Sequence, residues 1–275
     1  MSDVDGALGL LVLPPWGWIV AGVLGALWGS FFNVAIHRIG LYESVVHPPS
    51  RCPRCGKPVA ARDNVPIFGW LWLRGKCRYC GLPISLRYPL VELSSLLLAL
   101  AVYWRFVDTG VGEPVARAAH FLVYFAFTGT LLVISGIDLD HKIIPDNITY
   151  PGVPAFFLCG LLLRDVAPLD LILGMVAGYG GVAITAELAY FILKREGMGY
   201  GDAKLLMLVG ALLGWKAVAF SFFGGAVLGL FVAVPLLIAR RGKVTGVEVP
   251  YGPFLAGAAL IYLFFGRDLW ALLTY

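Results

Sequence analysis

Long apolar stretches, each about the length of a membrane crossing, alternate with short polar segments along most of the chain. A helix needs about 20 apolar residues to span a hydrocarbon core, and runs of this kind recur from Trp16 onward. They predict about eight helices, near 16–36, 89–106, 117–137, 148–163, 169–193, 203–215, 218–239 and 252–273. The sixth is short, which fits a tilted helix or one that starts inside a cavity, because irregular backbone is tolerated at membrane depth only where protein or water surrounds it. Only 37–88 interrupts the pattern with a long polar stretch. The expected fold is an all-α polytopic membrane protein: a first transmembrane helix in 1–36, a polar insertion in 37–88 and a helical bundle in 89–275.

Composition then identifies the solvent. Of the 275 residues 59% are hydrophobic and 14% charged, and the mean hydropathy is +0.83, far from the composition of a soluble domain. The lipid bilayer is the expected partner. A net charge of +4 raises the question of nucleic acid, but the basic residues gather in loops beside the spans, so they read as topology and no nucleic-acid partner is expected. Arg38, Arg51, Arg54, Lys57, Arg62, Arg74, Lys76, Arg78 and Arg87 lie in the first long loop; Lys142, then Lys194, Arg195 and Lys204, then Arg240, Arg241 and Lys243 lie in alternate loops beyond it. The other side keeps Arg105, Arg117, Arg164, Lys216 and Arg267. Short positive loops stay in the cytoplasm, which places both termini outside and loops 37–88, 138–147, 194–202 and 240–251 inside. The chain opens Ser2-Asp3-Val4-Asp5 without a basic n-region, so the first apolar stretch is expected to remain a helix rather than a cleaved signal.

The glycines 174, 178 and 181, and 224, 225 and 229, are spaced for close helix packing in a membrane; without a preceding strand they are no dinucleotide fingerprint. Cys159 lies in an apolar span and reads as a small core residue. The other four cysteines are different. Cys52-Pro53-Arg54-Cys55-Gly56-Lys57-Pro58 is nearly repeated as Cys77-Arg78-Tyr79-Cys80-Gly81-Leu82-Pro83. Two thiolates two residues apart reach one ion, the glycine lets the turn close, and two such knuckles make a tetrahedral zinc-ribbon-like site for Zn²⁺ on Cys52, Cys55, Cys77 and Cys80. Disulfides or redox dithiols are the competing readings, and a reducing cytoplasmic loop argues against them. Four thiolates leave no open coordination position, so the ion is expected to be structural, folding a loop too small to hold a core.

Acidic clusters end two of the apolar runs: Gly136-Ile137-Asp138-Leu139-Asp140-His141-Lys142-Ile143-Ile144-Pro145-Asp146 and Gly199-Tyr200-Gly201-Asp202-Ala203-Lys204. An ionisable group beside hydrocarbon is a functional hypothesis by default. For Asp140 and Asp146 a solvated loop position reads equally well, with Asp146 capping the helix near Ile148. Asp202 opens a helix whose dipole favours its ionised form, and Gly199 and Gly201 bare the backbone so that a peptide can approach. Asp138 is then the proton carrier of a carboxylate pair able to activate water and protonate a leaving group, which is aspartyl protease chemistry.

Gly199-x-Gly201-Asp202, Asp138-x-Asp140 with Ile144-Pro145-Asp146, the paired knuckles, and Gly29-Ser30-Phe31-Phe32-Asn33-Val34-Ala35-Ile36-His37-Arg38 occur in one order over nearly the whole chain. Together they resemble the bacterial type IV prepilin peptidases, a family of GxGD aspartyl proteases. The resemblance implies an inner-membrane enzyme that removes the leader of prepilins and pseudopilins at the cytoplasmic face, for type IV pili or type II secretion, and then methylates the new N-terminus with S-adenosylmethionine. It implies Asp138 and Asp202 as the catalytic pair, supported by Gly199, Gly201, Asp140 and Asp146. No S-adenosylmethionine motif is visible, so the methyl-donor residues stay unassigned; the family places that function near the cysteine loop, here including Gly75-Lys76-Cys77. Asn33, His37 and Glu92 flank the loop as candidates, although a polar residue near a span end is more often a helix–helix hydrogen bond. A peptidase lacking the methylase, and a non-catalytic scaffold that uses the cysteine loop to bind a partner, are the alternatives.

Overall fold

The computed structural model describes residues 14–193, 199–239 and 249–274. Ser2, Asp3, Asp5, Lys194, Arg195, Arg240, Arg241 and Lys243, on which part of the topology expectation rests, lie outside them. Among the described residues every regular element is helical, and β-pairing is confined to two isolated bridges. The elements are α1 (Trp16–Ile39), a 3₁₀ turn (Ala61–Asp63), the short α2 (Phe68–Trp72), α3 (Arg87–Tyr103) running on as a π-turn (Trp104–Asp108), α4 (Pro114–His141), α5 (Asp146–Leu163), α6 (Pro168–Leu193), α7 (Tyr200–Ala239) and α8 (Gly252–Thr274). Among the described residues five helices are long and apolar enough to cross a membrane: α1, α3 with its π-turn, α4, α6 and α7; Gly252–Gly266 of α8 is a shorter apolar helix. At 18 residues, α5 reaches about 27 Å, a little under a hydrocarbon core.

The expected helices 203–215 and 218–239 are two stretches that meet at Gly214, whose φ of 79° and ψ of 179° break the helix. Lys216, expected between the two helices, lies inside the second stretch; a left-handed glycine makes the bend. A side chain there would be strained and would also press on Val166 and the Asp170 carbonyl.

The chain divides into two compact units, residues 1–133 and 134–275. In the first, α1 packs along α3 through a seam of small residues: Gly17, Ala21, Gly25 and Gly29 are all buried. A Cβ on Gly25 would stand 2.6 Å from Ala99 Cβ, and one on Gly29 2.7 Å from Glu92 Cα, so the two backbones touch as membrane helices do at small-residue seams. The Ser95 hydroxyl donates to the Gly25 carbonyl at 2.6 Å across this seam. Ile36, Ala99, Val102, Phe127 and Leu131 are fully buried beside it.

In the second unit α6, α7 and α8 form the core around Leu171, Leu205, Leu206, Leu208, Leu212 and Leu255. Gly174 and Gly178 rest on the backbone of α7 at Gly210 and Leu206, and Gly224, Gly225 and Gly229 face α8, as their spacing predicts. Gly181 faces open space and takes no part in this packing. Cys159 is half-buried on α5. Leu162, Ile184 and Phe231 are each more than two thirds exposed, which only a lipid-facing surface makes inexpensive.

Candidate functional site

In the first unit the polar insertion builds the same turn twice. The Cys52 amide donates to Lys57 O and the Gly56 amide back to Cys52 O, both at 2.9 Å; the Cys77 amide donates to Leu82 O and the Gly81 amide to Cys77 O, again at 2.9 Å. Gly56 and Gly81 have φ of 70° and 69°, the left-handed conformation glycine adopts freely, and the bridges Arg51 to Pro58 and Lys76 to Pro83 close the knuckles. All four Sγ atoms lie within 4.8 Å of one another, with Cys52 Sγ 3.9 Å from Cys80 Sγ. Tetrahedral coordination at about 2.3 Å per bond puts sulfurs about 3.8 Å apart, so the donor set fits a metal ion. Amides of Cys80 and Tyr79 bring the Cys77 thiol down to about 6; at Cys80 the Leu82 amide is outweighed by burial and the neighbouring thiols, which push it up to about 11. Beside the knuckles Arg78 donates twice to Asp63, from Nε to Oδ2 and from Nη2 to Oδ1. That pairing holds the Asp63 carboxyl below its ordinary range.

Of the candidates flanking the loop, Asn33 follows the ordinary pattern: its amide donates to Tyr88 O at 3.0 Å and reaches Gly29 O, tying α1 to α3. His37 is exposed. Glu92, on α3, accepts the Ile67 amide at 2.6 Å.

In the second unit three helix ends converge. Asp138 lies in the last turn of α4, Asp202 in the first turn of α7, and Gly252 begins α8. Asp138 and Asp202 line one cavity of about 470 Å³ with Gly199, Gly201, Lys204 and Tyr251. The described parts of segments 138–147, 194–202 and 240–251 therefore meet at one place.

Asp138 is buried, and its Oδ2 accepts the Gly252 amide at 2.9 Å from 114 residues away. A Cβ on Gly252 would stand 2.7 Å from that oxygen. Asp138 thus sits against a helix N-terminus just as Asp202 does, and the dipole argument that assigned the proton to Asp138 does not separate the two. Tyr251 donates to Phe222 O at 3.1 Å; burial, and then the charge of Asp202, hold its hydroxyl above the ordinary tyrosine range. Gly201 packs on Ile144, whereas Gly199 has room for a side chain. Asp140 and Asp146 are both exposed. Asp146 is the first residue of α5 rather than its cap: Pro145 holds the cap position without a side-chain bond, and Asp146 pairs with Lys204 at 2.5 Å. Gly252 and Tyr251 were not among the residues the sequence singled out. Their signal was the Pro250-Tyr251-Gly252-Pro253 punctuation that opens the last apolar run.

Residues 125–234 match the type IV leader peptidase family, and residues 23–106 match the bacterial peptidase A24 N-terminal domain. The prepilin leader peptidase/N-methyltransferase of Aeromonas hydrophila is 36% identical over 88% of this chain and 88% of its own length. That of Pseudomonas putida is 34% identical over 95% of each. This chain belongs to the prepilin leader peptidase/N-methyltransferase family. The Burkholderia pseudomallei (strain K96243) member is 36% identical, covering 91% of this chain and 86% of its own length. No solved structure matches the chain. The stretch that matches the peptidase family contains Asp138, Asp146 and Asp202, and the N-terminal match contains all four clustered cysteines, so each group of candidate residues falls in its own family region.

Proposed function

We propose that this protein cleaves the leader from type IV prepilins and pseudopilins and then N-methylates the exposed terminal residue, working at the cytoplasmic face of a bacterial inner membrane. Asp138 and Asp202 are the catalytic pair. The observation that carries this reading is their convergence, from separate helices, on one cavity beside the bare backbone of Gly199 and Gly201. Two close carboxylates hold one proton between them, and the pair, rather than either residue, owns the two titration steps. The ionised member takes a proton from water as the water attacks the scissile carbonyl. The protonated member gives its own to the departing amine, after which the pair has exchanged roles. Gly252 fixes one carboxylate through its amide, and Tyr251 stays a neutral donor at the cavity wall. The substrate's own apolar helix, lying in the membrane, brings its basic leader to the positive loops on the same side.

The Cys52, Cys55, Cys77 and Cys80 cluster holds Zn²⁺ as a structural ion, with every coordination position filled by the chain. S-adenosylmethionine supplies the methyl group. The folded four-cysteine insertion favours the two-activity enzyme over a peptidase alone. Purified protein given a prepilin and the methyl donor is expected to yield a product lacking its leader and heavier by one methyl. Asp138→Asn and Asp202→Asn are each expected to abolish cleavage while leaving the chain folded. A scaffold protein would keep its partner binding in both variants, and persistent cleavage in either would defeat the assignment of the pair.

A further inference from the structure

Methylating an amine makes two demands on a site. The α-ammonium must give up a proton before its lone pair can attack the methyl carbon, and positive charge then leaves sulfur and arrives at nitrogen. An anion beside the nitrogen therefore favours the transition state, whereas one beside the sulfonium favours the ground state. The region matching the N-terminal domain contains a cavity of the right size: about 390 Å³, under the knuckles, lined by Trp70 and Tyr88, by the cations Arg51, Arg54, Lys57 and Arg78, and by two carboxylates, Asp63 and Glu92. Small-molecule sites begin near 300 Å³.

The two carboxylates differ. Asp63, its side chain 5% exposed, is committed to Arg78 through both oxygens. Glu92 is half-buried in a membrane helix, and no cation pairs with it among the described residues; its donors are the Ile67 amide and the Ser30 hydroxyl. Neither cancels its charge. The loop holds Ile67 at φ 64° to deliver that amide, a conformation a β-branched residue adopts only when its surroundings enforce it. An orienting donor held in strain, beside a half-buried carboxyl without a counter-charge in a membrane helix, marks a site that receives a cation. Glu92 stands five residues into α3, about 7.5 Å from its start.

Building on the methyltransferase reading above, we infer that this cavity is the methyl-transfer site and that Glu92 takes the new N-terminal ammonium and accepts its proton. Glu92 passes that proton to water and, ionised again, faces the nitrogen as its lone pair attacks the methyl carbon and the carbon–sulfur bond breaks. The electrons of that bond stay on sulfur, and the product leaves as the methylated ammonium.

The test uses the full chain in detergent or nanodiscs with a prepilin and radiolabelled S-adenosylmethionine. Glu92→Gln is expected to cleave the leader, retain its metal and photolabel with the donor as wild type does, while methylation falls about 100-fold or more. Its residual methylation is expected to climb about tenfold per pH unit below pH 8, as the free amine forms unaided, with a flatter profile in wild type. Methylation within threefold of wild type in Glu92→Gln overturns the inference, as does loss of donor labelling together with methylation. Should Glu92→Gln lose its metal, Glu92→Asp decides: donor labelling unchanged with methylation slowed at least tenfold supports the role, and wild-type methylation overturns it. A wild-type chain that cleaves without methylating defeats the underlying methyltransferase reading instead.

Discussion

Replacing Gly252 by alanine puts a methyl carbon 2.7 Å from Asp138 Oδ2 and 3.2 Å from its Cγ. Ordinary contact starts near 3.4 Å, so the carboxylate must retreat by about 0.7 Å, and a misplacement of about 1 Å at a reacting group can cost on the order of 100-fold. The retreat also breaks the 2.9 Å bond from the Gly252 amide. A bond to an ionised acceptor contributes about 1.5–3 kcal/mol, and each tenfold takes about 1.4 kcal/mol. The two routes agree on a 10- to 100-fold fall, roughly, in kcat for leader removal. Single-turnover cleavage of a purified prepilin, followed by mass, measures it. Methylation of a substrate supplied without its leader is the internal control, because the site inferred for it lies in the other unit. Cleavage within twofold of wild type would refute the positioning role of Gly252; an equal loss in both reactions would show that the variant had merely unfolded.

Asp138→Asn and Asp202→Asn are each expected to lower cleavage by at least about 100-fold with metal content unchanged, measured by cleavage assay and elemental analysis. Cys77→Ser is expected to lose the ion, which elemental analysis of wild type should find near one per chain, and to open the insertion to trypsin at Arg51 and Arg54, seen as new fragments on a gel. Lys204→Met breaks a pair whose acid is 58% exposed, so thermal unfolding should move by no more than the equivalent of about 1 kcal/mol. Gly25→Leu drives a side chain into Ala99 and the α3 backbone and is expected to destabilise the first unit by about 1–3 kcal/mol or more, read as a lowered unfolding temperature.

What was legible in the sequence was local. The knuckles could be read because two residues between thiolates and a glycine behind them fix the turn whatever surrounds it, and the spans because twenty apolar residues have one use. Asp202 was marked by its flanking glycines. Contacts made across the chain were not legible: nothing near Gly252 announces that its amide serves an acid 114 residues earlier, and with that contact the dipole argument no longer separates the two acids. The gap expected between 215 and 218 falls beside the bend, but the left-handed Gly214 that makes it looks in the sequence like any other small residue in a helix. The seam of Gly17, Ala21, Gly25 and Gly29 was spelled out at intervals of four, yet it merged with the hydrophobic run that contains it. Asn33 and Glu92 looked alike in the sequence, and only their partners told a helix tie from an anion without a counter-charge.

The meeting of three helix termini at the acid pair has a consequence of its own. Each terminus carries amides or carbonyls that its own helix cannot satisfy, and hydrocarbon offers them nothing. Such a junction stays hydrated or it does not form. The architecture that gathers the carboxylates thereby admits, at the edge of an oily interior, the one small molecule that peptide hydrolysis consumes.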